Sequence, residues 1–216
     1  MFKKASSPEK ASFTLVQAIG LLVITALITA GGWFLAGKQF FWTGMDSKRV
    51  ESQLKYYKAE VDAQPNKAEL RINLGYTYYL MHDNKAALKE FNQALALKKD
   101  FYDAYYNIGL VYVDENRLDD ALEMFDKCVK LAPRDYKAFM QKGIAYREQK
   151  MYVEASDALN KANKLMPGNA DIIYQIGMVA EAQGKFEAAA DIYKDALSFD
   201  PLFKKAAEGL ERVAKK

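Results

Sequence analysis

The sequence predicts an all-α chain: an N-terminal transmembrane helix, a solenoid of four helix–turn–helix units, and a C-terminal capping helix. Three observations predict it. Gly75, Gly109, Gly143 and Gly177 stand 34 residues apart, and that period belongs to stacked helix pairs. Residues 13–36 carry no charged side chain. Phe203, Ala207, Leu210 and Val213 form an apolar stripe at helical spacing behind the last unit, with charged residues on the other face.

Residues 1–12 read as a short leader. Residues 13–36 follow as 24 residues without charge, which as a helix reach roughly 36 Å at about 1.5 Å per residue. That is enough to cross a hydrocarbon core about 30 Å thick. A cleavable signal peptide has a shorter apolar region, so the reading is an uncleaved single-pass anchor. Trp33 and Trp42, with Phe34, Phe40 and Phe41, stand at its downstream end, where an interfacial aromatic belt belongs. Lys3, Lys4 and Lys10 precede the span, and Lys38, Lys48 and Arg49 follow it. The positive-inside count is close to a tie. The short leader and free amino terminus favour an N-terminus inside a cell (inner) membrane, with the repeats periplasmic or otherwise extracytoplasmic.

Residues 37–64 read as an interfacial linker and an amphipathic helix. Val50, Leu54, Tyr57 and Val61 share one face, so the segment from Asp46 to Ala63 either packs on the first unit or forms a stalk. The units then occupy 65–203, as 68–101, 102–135, 136–169 and 170–203, and residues 204–216 cap them. Each Gly lies in a first helix, where it costs about 1 kcal/mol against alanine; four such costs at one register call for close helix approach. Twelve residues after each Gly stands Ala87, Ala121, Ala155 or Ala189. Four further on stands Phe91, Phe125, Leu159 or Tyr193, and three beyond that Ala94, Cys128, Ala162 or Ala196. Pro133, Pro167 and Pro201 close the second helices of the last three units, because proline cannot continue a helix.

This pattern resembles the tetratricopeptide repeat (TPR) family over about residues 65–216. The resemblance implies a right-handed TPR α-solenoid of four repeats whose first helices line a concave groove. Arg71, Lys142 and Lys99 depart from the family pattern: Arg71 replaces a large apolar residue, Lys142 a leucine and Lys99 a proline. They predict loose packing at the outer edge of the first unit and a polar seam in the third. The segment Phe13-Thr14-Leu15-Val16-Gln17 also resembles the start of a mature type IV pilin, with Ser12 and Gln17 where that pattern has Gly and Glu.

Residues three before, one after and four after each Gly are expected to point into the groove and hold a protein partner. They are Ile72, Tyr76 and Tyr79; Tyr106, Leu110 and Val113; Met140, Ile144 and Arg147; and Tyr174, Met178 and Glu181. Their apolar side chains suit an extended or helical segment with apolar anchors. The carboxylate clamp of some TPR proteins fits poorly: Asn107 and Lys137 match it, but Ile72 and Tyr76 stand where it wants Lys and Asn.

Composition excludes other classes. The formal charge is +3, from 31 basic and 28 acidic residues, with no basic footprint for nucleic acid. Cys128 is the only cysteine and His82 the only histidine, so no metal or nucleophile constellation is expected, and no cofactor. The chain is expected not to be an enzyme. The function read from the sequence is a membrane-anchored TPR scaffold or adaptor that assists assembly or recruitment of a membrane or envelope complex. Two alternatives stand beside it: a stoichiometric structural subunit of such a complex, and a pilin-like or secretion-system accessory protein. Small residues at Ala26/Ala30 and Gly32/Ala36 leave self-association open.

Overall fold

A computed structural model describes residues 48–216. The predicted leader 1–12, the predicted anchor 13–36 with its pilin-like start, and the linker up to residue 47 lie outside the described residues. The chain divides into two compact units, Met1–Ser52 and Gln53–Lys216, and the fold below is that of the second. Among the described residues no helix is long and apolar enough to cross a membrane.

A first helix, α1, covers 48–63. Four pairs follow: α2 (Ala68–Leu80) with α3 (Asn84–Leu97), α4 (Tyr102–Asp114) with α5 (Leu118–Leu131), α6 (Tyr136–Glu148) with α7 (Tyr152–Leu165), and α8 (Ala170–Ala182) with α9 (Phe186–Phe199). Helix α10 (Lys204–Val213) ends the chain. No strand occurs among the described residues.

Within each pair the glycine is where the two helices meet. A Cβ added at Gly75 would stand 2.6 Å from the Phe91 ring; at Gly109, 2.5 Å from Phe125; at Gly143, 2.5 Å from Leu159; at Gly177, 2.5 Å from Tyr193. All four partners, sixteen residues downstream, are fully buried. Only a residue without Cβ lets the large side chain seat against the helix backbone, which is the compensation for glycine's poor helix propensity.

The turn inside each pair has one geometry. His82, Asn116, Lys150 and Gly184 occupy it with φ of 60°, 57°, 61° and 75°. The next residue's N–H reaches back into the preceding helix, as in Asp83 N–H to Tyr78 O at 3.0 Å and Met151 N–H to Tyr146 O at 2.9 Å. This is the left-handed helix stop that glycine fills without strain, yet three of the four are not glycine. The second helices stop in register too. Ala132, Met166 and Asp200, each before a proline, take φ near −135° with ψ of 75°, 75° and 94°, outside the α region that a following proline disfavours. Lys98 takes the same region without a proline after it, so Lys99 leaves the stop where it is.

Successive pairs stack. Each second helix packs on the next first helix, and the first helices also touch one another, α2 with α4, α4 with α6, α6 with α8 and α8 with α10. Among the described residues the second helices make no such contact with each other. The stack is therefore closed on the side of the first helices, which line its inner face.

Both ends are covered. Leu54, Tyr57 and Val61 of α1 pack with Leu70, Leu74 and Tyr78 of α2, so this stretch takes the place of a preceding second helix. At the other end α10 lays Gly209 on Tyr193, where an added Cβ would come within 2.8 Å of the ring. The ring is thus held between Gly177 and Gly209. The outer edge of the first pair is not loosely packed as its Arg71 suggested. The guanidinium donates to Glu90 Oε2 at 3.0 Å, to Gln93 Oε1 at 2.5 Å and twice to the Pro65 carbonyl. Four hydrogen bonds to polar partners from the loop and from α3 replace the apolar contact. Lys142 does form a polar seam, pairing with Asp126 of α5.

Candidate partner-binding groove

The glycine gives each first helix a compass, since it points at the second helix of its own pair. At 3.6 residues per turn, the residue four after it lies about 40° away and the residue three before it about 60° away. The residue one after lies about 100° away, and the residue two before about 160° away. The first two registers therefore turn toward neighbouring helices, and the last two look out of the inner face.

Exposure follows this compass. Ile72, expected in the groove, is 8% exposed and belongs to the core with Phe91, Ala94, Ala104 and Ile108; its register leans into the seam between the first two pairs. Tyr79, Tyr106, Val113, Met140 and Tyr174 are half-buried. Tyr106 stacks on Tyr102 with centroids 5.9 Å apart and meets Phe125 at 6.0 Å. Tyr174 meets Tyr193 at 5.6 Å and Phe203 at 5.7 Å. Met140 packs on the cluster of Ala155, Leu159 and Val179. These side chains serve the stack on one edge and reach the groove with the other. Burial, with the Asp114 carboxylate beside it, raises the Tyr79 hydroxyl above the usual phenol range, so it remains a neutral donor.

In the register one after the glycine, Tyr76 is 43% exposed, and Leu110, Ile144 and Met178 are half-buried like the residues above. They form an apolar row with one member per pair. Two expected groove residues are engaged instead. Arg147 donates to Gln175 Oε1 at 2.6 Å and to Glu148. Glu181 accepts from Arg212 Nε and Nη2, both at 2.8 Å, and from the Tyr193 hydroxyl. The Arg212 hydrogen bonds hold the Glu181 carboxyl below its ordinary range. Helix α10 thus closes the groove's far end through a charge pair.

One register escaped the sequence reading. Asn73, Asn107, Gln141 and Gln175 stand two before each glycine, and all four are exposed or half-exposed. Gln141 Nε2 donates to the Tyr106 hydroxyl at 3.4 Å, linking α6 to α4 across the inner face. The same 34-residue spacing that reveals the glycines would have found this row.

Elsewhere the chemistry is quiet. The Cys128 thiol is fully buried and lies 3.7 Å from the Tyr102 carbonyl. Burial pushes its pKa up to about 12, so it is not a nucleophile at neutral pH. Among the described residues no group of three or more His, Cys, Asp or Glu side chains is arranged for a metal ion.

Comparison with known proteins decides the family. Residues 102–135 match a tetratricopeptide-repeat family model, residues 83–115 match a TPR-repeat model, and residues 170–201 match a further tetratricopeptide-repeat model. This chain is a TPR protein. Its architecture is that of a protein-interaction scaffold. Solved structures share the fold at low identity. TTC0263, a thermophilic TPR protein of Thermus thermophilus, is 18% identical with a TM-score of 0.70, covering 84% of this chain and 96% of that one. MamA (41-end) from Desulfovibrio magneticus RS-1 is 20% identical with a TM-score of 0.63, covering 77% and 94%. YrrB, described as a TPR protein with an unusual peptide-binding site, is 23% identical with a TM-score of 0.60, covering 77% and 86%. No curated protein matches the chain.

Proposed function

We propose that this TPR protein is a membrane-anchored adaptor that binds a protein partner in its inner groove and assists assembly or recruitment of a membrane or envelope complex. The observation that carries the reading is the apolar row of Tyr76, Leu110, Ile144 and Met178. Met178 packs on the cluster of Ala180, Ala189, Tyr193 and Val213 with one edge, but Tyr76, Leu110 and Ile144 join none of the core clusters, and all four are apolar or aromatic. Tyr offers broad contact with a polar tip, and Met adapts to varied shapes. The peptide-binding site described for YrrB supports a peptide-like ligand for this surface.

The anchor rests on the uncharged segment 13–36. It would hold the groove beside the bilayer and raise the local concentration of a bound client there. In this reading the N-terminus lies inside a cell (inner) membrane and the repeats face the extracytoplasmic side. Protease protection in sealed vesicles tests that orientation. A photocrosslinker at Tyr76 in intact membranes tests the groove: a discrete partner is expected, and Leu110→Glu plus Ile144→Glu is expected to abolish it. Trapping that survives both charges would show that the partner sits elsewhere.

A further inference from the structure

The charges of the groove divide along its length. Two further registers reach the inner face. The residue six before each glycine lies about 120° from it and the residue five after about 140°, between the apolar row and the carboxamides. In the first two pairs these positions hold Glu69, Asp103 and Asp114, all exposed, and the uncharged Leu80. No Lys or Arg stands at an inner register of α2 or α4. In the last two pairs the charges balance. Arg147 pairs with Glu148, and Glu181 with Arg212, which leaves Lys137 against Asp171. The near half of the groove is thus acidic in a chain whose formal charge is +3.

The fold leaves these charges uncompensated. Asp103 and Asp114 make no ion pair among the described residues. Asp114 stands beside the Tyr79 hydroxyl, a neutral contact. Glu69 has Lys98 at 3.7 Å with both side chains more than half exposed, and so exposed a pair contributes little. Asp103 and Asp114 stand near opposite ends of α4, about 17 Å apart along the helix, with Tyr106, Leu110 and Val113 between them. An apolar strip is therefore flanked by negative charge on both sides. Like charges on one face repel one another, and a positive partner relieves that repulsion. Resting on the groove reading above, we propose that the partner is a basic segment. Its apolar side chains dock on the row from Tyr76 to Met178, and Lys or Arg side chains flanking its leading anchors meet Glu69, Asp103 and Asp114. Its charge is concentrated over the first two pairs, because the last two are already balanced. The same carboxylates repel an acidic segment.

Random linear dodecapeptides displayed on phage, selected on the full chain in mild detergent, test this. The expected peptides carry several Lys or Arg toward one end, beside apolar residues. Synthetic copies are expected to bind about tenfold or more weaker at about 1 M salt than at about 0.1 M, as the screening length falls from about 10 to about 3 Å. Asp103→Lys plus Asp114→Lys is expected to cost about tenfold or more in affinity, and selection on that variant is expected to enrich acidic peptides instead. Should the variant lose helical circular dichroism, Asp103→Asn plus Asp114→Asn repeats the measurement with the charge removed and an acceptor left beside Tyr79. Neutral or acidic peptides from the parent chain, affinity indifferent to the charge changes, or no enrichment at all would overturn the inference. The groove reading fails separately, if basic peptides bind unchanged to Leu110→Asn plus Ile144→Asn and so lie off the apolar row.

Discussion

The first helices have two sides that obey different rules. Toward its own second helix, each carries the same residue, glycine, because a ring or branched side chain lies 2.5–2.6 Å from where a Cβ would be. Toward the groove, one residue further on, it carries Tyr76, Leu110, Ile144 and Met178. The packing side fixes a shape, and one residue type meets it. The groove side holds to a chemical class while its shapes differ. In the reading proposed above, a surface that keeps its class but not its shape is matched to a partner, and that contrast would separate scaffold from binding face along one helix.

The contrast can be tested by disturbing each side in turn. Phe125→Ala empties a fully buried site on the packing side and is expected to cost about 3–5 kcal/mol, read as a lower urea midpoint. Gly109→Ala forces a methyl into the same ring; about 1–3 kcal/mol is expected from overpacking, partly offset by alanine's better helix propensity. Lys150→Gly should go the other way. Its φ of 61° is strained for a side chain, and relief is expected to raise stability by about 1 kcal/mol. If Lys150→Gly destabilises, the turn is held by lysine contacts and not tolerated in spite of them. On the groove side, Tyr76→Glu is expected to stay within about 0.5 kcal/mol of the parent. A large stability loss at Tyr76 would erase the distinction between the two sides.

The groove's far end adds a pH dependence. Hydrogen bonds from Arg212 depress the Glu181 carboxyl. A depressed carboxyl contributes stability that is complete above its unfolded value, about 4.3 for Glu, and is lost as pH falls through the folded value. Amide exchange in α10 is therefore expected to quicken under acid before exchange in α4 or α5 does. Glu181→Gln should remove that part of the acid response, and an unchanged profile would mean that α10 is held by Gly209 on Tyr193 alone.

Much of this architecture was legible in the chain. Gly, Ala and large residue repeat at fixed offsets because each pair solves the same packing problem. Other features were not legible, for physical reasons. Gly209 stands 32 residues after Gly177, off the period, so its contact with Tyr193 left no repeat signal. Arg71 looked like a packing fault because its partners, Pro65, Glu90 and Gln93, become neighbours only on folding. Ile72 was placed in the groove because the spacing alone does not say where the adjacent pair lies; the rotation from the glycine puts it in the core.

One buried atom has a practical consequence. Cys128, the only cysteine, is fully buried with its pKa pushed up to about 12, so maleimide reagents at neutral pH will pass it by. A thiol introduced at Asn73 or Tyr76 becomes the sole reactive handle without removal of the native one. A fluorophore or spin label placed there reports the approach of a bound segment directly, in a chain otherwise left as nature wrote it.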